Sequence, residues 1–435
     1  MGFNIFRGGI HPPDKKNLSA DRPIKAARPP DKVVIPLSQH LGAPCKPAVA
    51  VQQEVKKGEL IGEAAGFVSA PVHASLSGTV TAIGEFPNAM GRMVTSVVIE
   101  NDRKEEWTLL KDNPDYLRLS PEDMKEKIKN AGIVGMGGAA FPTVVKLSPP
   151  KEKPIDTVII NGAECEPYLT GDYRLMIEHP KEVIEGLKIL MKILGVTKGF
   201  VGIEDNKPQA IQSMQEASRG QENIGICSLH TKYPQGAEKM LIKAITDREV
   251  PPRALPMDVR VVVQNIGTSF AIFEAVRYGK PLIERVVTVS GEGIAEPNNL
   301  LVKIGTLISH LIRECGGLRE GNSKVLSGGP MMGFAIASTD IPVTKGTSGI
   351  VALTEREMVH AESFGPCIRC GRCINVCPMG LMPSMLSIYA EKGFFEGAKG
   401  YNLFDCFECG SCAFVCPSKR PIVQLVRLAK TQVKP

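Results

Sequence analysis

Eight of the twelve cysteines fall in two copies of one spacing, Cys367-x-x-Cys370-x-x-Cys373-x-x-x-Cys377-Pro378 and Cys406-x-x-Cys409-x-x-Cys412-x-x-x-Cys416-Pro417. Thiolates are soft ligands suited to iron held with sulfide, and three of them at this spacing wrap a tight loop around one cubane. The fourth ligand must come from further away. In tandem runs of this kind the distal cysteine serves the other cluster. That assigns Cys367, Cys370, Cys373 and Cys416 to one [4Fe-4S] cluster and Cys406, Cys409, Cys412 and Cys377 to a second, with a helical spacer from Pro383 to Lys392. A structural zinc site needs only four ligands, with a longer gap between its pairs. A disulfide framework is a device of small secreted chains, whereas this chain has 435 residues and shows no secretory segment. The scattered Cys45, Cys165, Cys227 and Cys315 read as buried apolar thiols.

Length and composition bound the rest. The length is that of roughly three domains. A net charge of +6 without a long Lys/Arg run, and only 5% aromatic residues, argue against a nucleic-acid partner. No apolar run approaches the ~18 residues of a membrane span, and the N-terminus lacks a basic-then-apolar leader pattern. The expected location is therefore the cytoplasm, with any membrane association made through partners. Beyond the cysteines, the stretch Pro421 to Lys430 is amphipathic and basic. Packing on the cysteine-rich unit is the expected use of such a stripe, and docking on a partner or an anionic lipid surface the other.

Moving toward the N-terminus, Met331 to Ala337 reads as core. Before it, Val286 to Ser290 reads as a strand and Thr306 to Cys315 as a helix. Further upstream, strands at Thr157 to Ile160, Gly199 to Ile203, Ile224 to Leu229 and Val259 to Val263 alternate with helices at Pro180 to Leu194 and Pro208 to Ser218, the pattern of an open α/β sheet. Such sheets place ligands beyond the carboxyl ends of their strands. Two loops stand there: Asn161-Gly162-Ala163-Glu164-Cys165-Glu166-Pro167 and Gln264-Asn265-Ile266-Gly267-Thr268. A glycine-rich loop, Gly132 to Thr143, follows a helix expected from Pro121 to Ala131 with Ser120 as its cap. The bare N-H groups of Gly135, Gly137 and Gly138 suit a phosphate or a flat ring, with Lys146 as charge partner; a tight packed turn is the structural alternative.

From Lys32 to Glu100, short apolar bursts (Val33 to Pro36, Ala48 to Val51, Leu60-Ile61, Gly78 to Ile83, Ser96 to Ile99) separated by turn residues suggest a small barrel or sandwich of the biotinyl/lipoyl type. A carrier would need a lysine at the hairpin tip, and none occurs between Gly58 and Arg103. The fold is expected to serve as a scaffold. Residues 1-30 read as an extended arm whose segment Phe6 to Pro13 packs on another surface.

The loops Gly135-x-Gly137-Gly138-Ala139-x-Phe141-Pro142-Thr143 with Lys146, Asn161-x-x-Glu164-x-Glu166-Pro167 and Asn265-x-x-Thr268 resemble the flavin-binding subunit of respiratory complex I. With the arm and barrel in front and the cysteine runs behind, the whole chain resembles the RnfC family, a component of the Rnf ion-translocating electron-transport complex. The resemblance implies an arm (1-30), a barrel-sandwich hybrid domain (31-103), a Rossmann-like FMN/NADH domain (104-280), a β-grasp soluble-ligand-binding domain with a return segment (281-355) and a bacterial-type two-cluster ferredoxin domain (356-435). It also implies FMN contacts from Gly135, Gly137, Gly138, Lys146, Asn161, Glu164 and Asn265. NADH contacts would come from Phe141 and Glu166, and from Tyr233, Gly236 and Glu238 in a second loop. The implied role is that of a peripheral subunit on the cytoplasmic face of the membrane, exchanging electrons between NADH and ferredoxin through the other Rnf subunits. A soluble cobalamin-reductase type of the same family and a non-enzymatic ferredoxin-like scaffold are the competing readings.

Overall fold

The structure, a computed structural model, describes residues 5-358 and 363-434. Residues 1-4 of the arm, and 359-362 at the start of the expected ferredoxin domain, lie outside the described residues. The arm bends at Arg7 and Gly8, makes one 3-10 turn at Lys16–Leu18, and then contributes a strand, β1 (Ile24–Ala26). Lys16 is pinned by the carbonyls of Glu166 and Leu169, at 3.0 and 2.5 Å.

The barrel is built from β2 (Lys32–Pro36), β3 (Lys46–Pro47), β4 (Glu54–Val55), β5 (Leu60–Glu63), β6 (Val72–His73), β7 (Gly78–Pro87) and β8 (Met93–Asn101). They form a four-stranded sheet ordered β2-β8-β7-β4 and a three-stranded sheet ordered β3-β5-β6. Val33, Ile35, Ile61, Val72, Val80, Val97 and Ile99 meet in the core between them. The burst at Ala48 to Val51 is not a strand: the chain pairs just before it, at Lys46 and Pro47, and then turns.

Next comes α1 (Pro121–Asn130), whose cap is as expected: the Ser120 hydroxyl accepts from the Asp123 N-H. After the glycine-rich loop and the one-turn α2 (Thr143–Lys146), the chain alternates through β9 (Thr157–Asn161), α3 (Gly171–Glu178), α4 (Pro180–Leu194), β10 (Lys198–Glu204), α5 (Pro208–Ala217), β11 (Ile224–Leu229), α6 (Glu238–Thr246), β12 (Val261–Asn265) and α7 (Ile266–Tyr278). The four strands are parallel in the order β11-β10-β9-β12. Strand order therefore reverses at β9, and the crevice between β9 and β12 is a topological switch point. Helix α4 buries Val183, Ile184, Leu187, Leu190 and Met191 at helical spacing. Its Gly186 lets α7 approach so closely that an added methyl would lie 2.0 Å from the Ser269 carbonyl oxygen. Neither α6 nor α7 is legible from periodicity, because each opens inside a loop that reads as a ligand loop.

The third unit contains β13 (Glu284–Ser290), β14 (Asn298–Lys303), α8 (Ile308–Glu314), β15 (Asn322–Ser327), β16 (Phe334–Ala335) and β17 (Gly349–Thr354). Its sheet order is β1-β14-β13-β17-β15-β16, so the arm supplies an edge strand parallel to β14. The segment Met331 to Ala337 is not core, since Met332 and Phe334 are exposed. It borders the cysteine-rich unit, where the Arg427 guanidinium stacks over Phe334 at 4.5 Å.

That last unit contains α9 (Arg372–Asn375), α10 (Pro383–Glu391), α11 (Phe395–Lys399), α12 (Ser411–Phe414) and α13 (Ile422–Gln432). The basic C-terminal stripe is α13, and it packs on the unit by burying Ile422, Val423, Val426 and Ala429.

Candidate functional site

Asn161 and Asn265 end β9 and β12 and stand directly opposite in register. Each side chain organises backbone around the switch point. Asn161 accepts from the Ala163 N-H at 3.2 Å and donates to the Gly236 carbonyl at 2.7 Å. Asn265 caps α7 by accepting from the Gly267 N-H at 2.9 Å, and it donates to the Asp172 carboxylate at 2.5 Å. The Glu164 carboxylate accepts from the N-H groups of Asp172 and Tyr173, at 2.7 and 3.1 Å, and so caps α3. Two helix N-termini thus converge on one crevice, a setting that favours negative charge.

The glycine-rich loop covers this crevice. Its base is fixed: Gly135 N-H donates to the Phe141 carbonyl, and Met136 N-H to the Thr268 hydroxyl. Its tip is bare. Gly137, Gly138 and Ala139 are exposed, and among the described residues their N-H groups donate to no protein atom. Gly138 has φ +119°, and an added Cβ there would meet nothing within 4 Å. Buried amide nitrogens of Gln235 and Gln264, beside Gly236 and Asn265 in sequence, also have no hydrogen-bond partner. The free N-H groups of the exposed glycine tip fit a ligand rich in acceptors, as a flavin nucleotide is, while the two buried glutamine amides are exceptions to the rule that buried donors are paired.

Lys146 is turned onto Glu238, at 2.8 Å, and the Val263 carbonyl, at 3.2 Å. Two of the residues expected in the site are thereby paired with each other. Phe141 is half-buried at the loop's far end. Glu166 accepts from the Met331 and Met332 N-H groups at 2.6 and 3.1 Å, which aims its carboxylate at the third unit; burial raises its pKa. Tyr233 is buried, and its hydroxyl donates to the Cys409 carbonyl at 2.6 Å. It therefore touches the cysteine-rich unit, while it also lies within hydrogen-bonding reach of Glu166. Cys165 is not a plain core thiol either, because it accepts from the Gly236 N-H at 3.3 Å.

Three further residues stand here without a sequence signal. Asp172 is held up to about 7, by burial first and by Glu164 second. Arg285 donates to the Lys345 carbonyl at 2.5 Å and lies 3.4 Å from the Met136 carbonyl; burial lowers it to about 10, against the pull of Asp172. Lys345 is buried beneath the loop, donating to the carbonyls of Gly132 and Pro71 at 2.8 and 2.7 Å, and burial lowers it to about 7. Arg285 and Lys345 are remote in sequence from the motifs they support, and Asp172 lies just past the Glu164 loop but belongs to no motif, which is why periodicity and spacing pass over them.

In the last unit, a cavity is lined by Cys367, Cys370, Cys373 and Cys416 together with Ser384, Ser387 and three arginines. The other four thiols also neighbour one another: Cys412 is raised by burial and then by Cys406, Cys409 and Cys377, and Cys406 is raised to about 11, chiefly by burial. Among the described residues no group of three or more His, Cys, Asp or Glu is arranged to hold a metal ion as it stands. Four thiols around a cavity suit a cluster, which brings its own sulfide, better than a lone ion.

Comparison with known proteins fits this geometry. A family model described as RnfC barrel sandwich hybrid domain matches residues 4–104, and one described as Nuo51 FMN-binding domain matches 128–274. An SLBB domain matches 286–335 and a 4Fe-4S dicluster domain 366–419. The RnfC homologue from the proton-translocating ferredoxin:NAD(+) oxidoreductase complex of Clostridium ljungdahlii is 53% identical over 98% of this chain and 93% of its own length. Its counterpart in the Na(+)-translocating complex of Acetobacterium woodii is 47% identical over 98% of this chain and 97% of its own. The chain belongs to the RnfC family. The homologue from the ion-translocating oxidoreductase complex of Rhodobacter capsulatus, 46% identical over 99% of this chain and 83% of its own, is a further member. A crystal structure of NAD+-reducing [NiFe]-hydrogenase shares the fold at TM-score 0.51, with 17% identity over 74% of this chain and 64% of that one. This RnfC-family chain thus carries an FMN-binding domain and a dicluster 4Fe-4S domain in one polypeptide. Among the described residues no helix is long and apolar enough to cross a membrane.

Proposed function

We propose that this chain is the peripheral subunit, on the cytoplasmic face of the membrane, through which an Rnf-type complex exchanges electrons between NADH and ferredoxin while its membrane subunits move ions. The observation that carries the reading is the physical junction between the two halves: the loop that begins at Tyr233 touches the switch-point crevice through Gly236 and Asn161, and the cysteine unit through Cys409.

Bound FMN would supply the conversion between a hydride pair and single electrons, and the clusters would carry those electrons one at a time. The protein's part is to bind, orient and insulate. The free N-H groups of Gly137, Gly138 and Ala139, with the α7 N-terminus, would hold the flavin phosphate, and Lys146 would supply positive charge once it exchanges Glu238 for the ligand. Asn161 and Asn265 fix the crevice edges, while Glu164 keeps α3 in place beneath them. Phe141, Gly236 and Glu238 would meet the nicotinamide nucleotide, and Glu166 would join them once it releases the Met331 and Met332 N-H groups. Cys367, Cys370, Cys373 and Cys416 would hold one cluster, and Cys377, Cys406, Cys409 and Cys412 the other.

The test is an anaerobic count of iron, sulfide and flavin per chain followed by titration with NADH. The reading requires about eight iron atoms, one flavin, and bleaching of flavin and cluster absorbance by NADH; a flavin-free chain with no NADH response would reject it.

A further inference from the structure

The two cysteine sets meet solvent differently. The set containing Cys409 is covered: Tyr233 donates to the Cys409 carbonyl, and the arm's Gly9 N-H donates to the Val376 carbonyl at 2.9 Å. Gly8 packs so tightly that an added Cβ would lie 2.8 Å from the Cys377 carbonyl oxygen. The set containing Cys367 opens outward. Cys370 is the exposed one among the twelve described cysteines. Beside it, Ile368 is 63% exposed.

The charge lining that opening is positive: among the described residues Arg369, Arg372 and Arg420 line the cavity, and no carboxylate does. Arg420 is buried and paired with Glu391 at 2.8 Å. Arg369 and Arg372 are exposed, and neither side chain makes a hydrogen bond or ion pair among the described residues. Lys419, just past Cys416, is exposed as well. An exposed apolar tip ringed by unpaired cations, next to a surface ligand, has the make-up of a small, transient electron-transfer contact, where interfaces are modest and charge steers the encounter.

We propose that the Cys367–Arg372 loop is the docking port for a one-electron redox protein presenting an acidic surface, with Ile368 as the apolar contact at its centre. This rests on the cluster-bearing reading above and adds the place and charge of the exchange. Electrons then enter or leave at the outer set, while the inner set faces the flavin domain.

The experiment uses the full chain, purified anaerobically with its clusters, and an acidic bacterial two-cluster ferredoxin as probe. Binding is measured across a range of ionic strength for the parent chain, for R369E/R372E, for the milder R369Q/R372Q and for I368D. The parent should bind, more weakly as salt rises. R369E/R372E should weaken binding about tenfold at low salt and flatten the salt dependence, R369Q/R372Q should do so less, and I368D should weaken binding at every ionic strength. Because Ile368, Arg369 and Arg372 line the cluster cavity, binding is compared only between samples matched for iron and flavin content, and loss of iron, flavin or bleaching by NADH from the parent chain would strike the functional reading instead. The port is overturned if the parent fails to bind the probe, if the arginine variants bind it equally well, if they alter only the potential of the outer cluster, or if the parent prefers anionic vesicles.

Discussion

Two stretches of identical cysteine spacing end up in opposite surroundings. Around Cys409 the chain brings a tyrosine hydroxyl, the arm and the α13 ammonium of Lys430, which donates to the Cys406 carbonyl at 2.6 Å. Around Cys370 it brings solvent and unpaired arginines. A ligand motif fixes what is held, but the elements packed over it fix what the held group can exchange with. The inner region shares its neighbourhood with buried titratable groups, so it should respond to pH. The outer one should respond to salt.

The largest effect that can break this contrast comes from the cysteines. Cys377→Ala combined with Cys406→Ala removes two ligands of one proposed cluster and should leave about half of the roughly eight iron atoms. Cys377→Ala combined with Cys367→Ala touches both proposed clusters and should strip nearly all. Iron and sulfide analysis reads the difference; if the pair from one run keeps half the iron instead, each run holds its own cluster and the crossing is wrong.

Next in size is a pH effect in the switch-point crevice, which the Tyr233 loop joins to the inner set. The Asp172 carboxyl is held up to about 7 by burial first and Glu164 second, from an ordinary value of 3.8. Between those values the folded chain keeps a proton that the unfolded chain has lost, so stability is fully present below pH 3.8 and falls as pH rises toward 7, by at most about 1.4 kcal/mol per pH unit. Asp172→Asn keeps an acceptor for Asn265 and should flatten that decline in denaturant melts taken across the window. An unchanged slope would show that Asp172 ionises normally.

How far the sequence speaks for itself depends on whether the signal is local. The cysteine spacing, the Ser120 cap and the alternation of β9 to β12 with α4 and α5 are patterns of neighbours, and they form as read. The Asn161 and Asn265 loops are legible too, because their place after a strand is itself local. Tyr233 reads as a nucleotide-loop residue because it sits in a loop at a strand end, and what that reading does not announce is its contact with Cys409, far along the chain. Lys345 and Arg285 shape the glycine loop from the return segment and from β13, and nothing near them in sequence announces it. Met331 to Ala337 reads as core from its apolar run, whereas it borders another unit. Burial between units is a property of docking, which periodicity within one segment does not encode.

Tyr233→Phe sharpens the comparison with a smaller change. It leaves the Cys409 carbonyl without its donor, at a cost of about 1–3 kcal/mol in stability. Loss of that donor should also lower the reduction potential of the inner cluster while the outer one stays put. Redox titration followed by electron paramagnetic resonance separates the two signals, and a shift shared by both clusters would mean that the hydroxyl acts on the unit as a whole.

The smallest expected effect completes the contrast from the outer side. The side chains of Arg369 and Arg372 are exposed and make no hydrogen bond or ion pair among the described residues, so R369Q/R372Q removes no such folded-state contact. Surface changes of this kind stay within about 0.5 kcal/mol, and the melting temperature should hardly move. What keeps two neighbouring like charges at that edge is then not folding, since their mutual repulsion in the isolated chain can only be neutral or unfavourable. A large loss of stability in the variant would assign the arginines a structural task, such as balancing the thiolate charge of the outer set, and would remove the reason for treating the two ends differently.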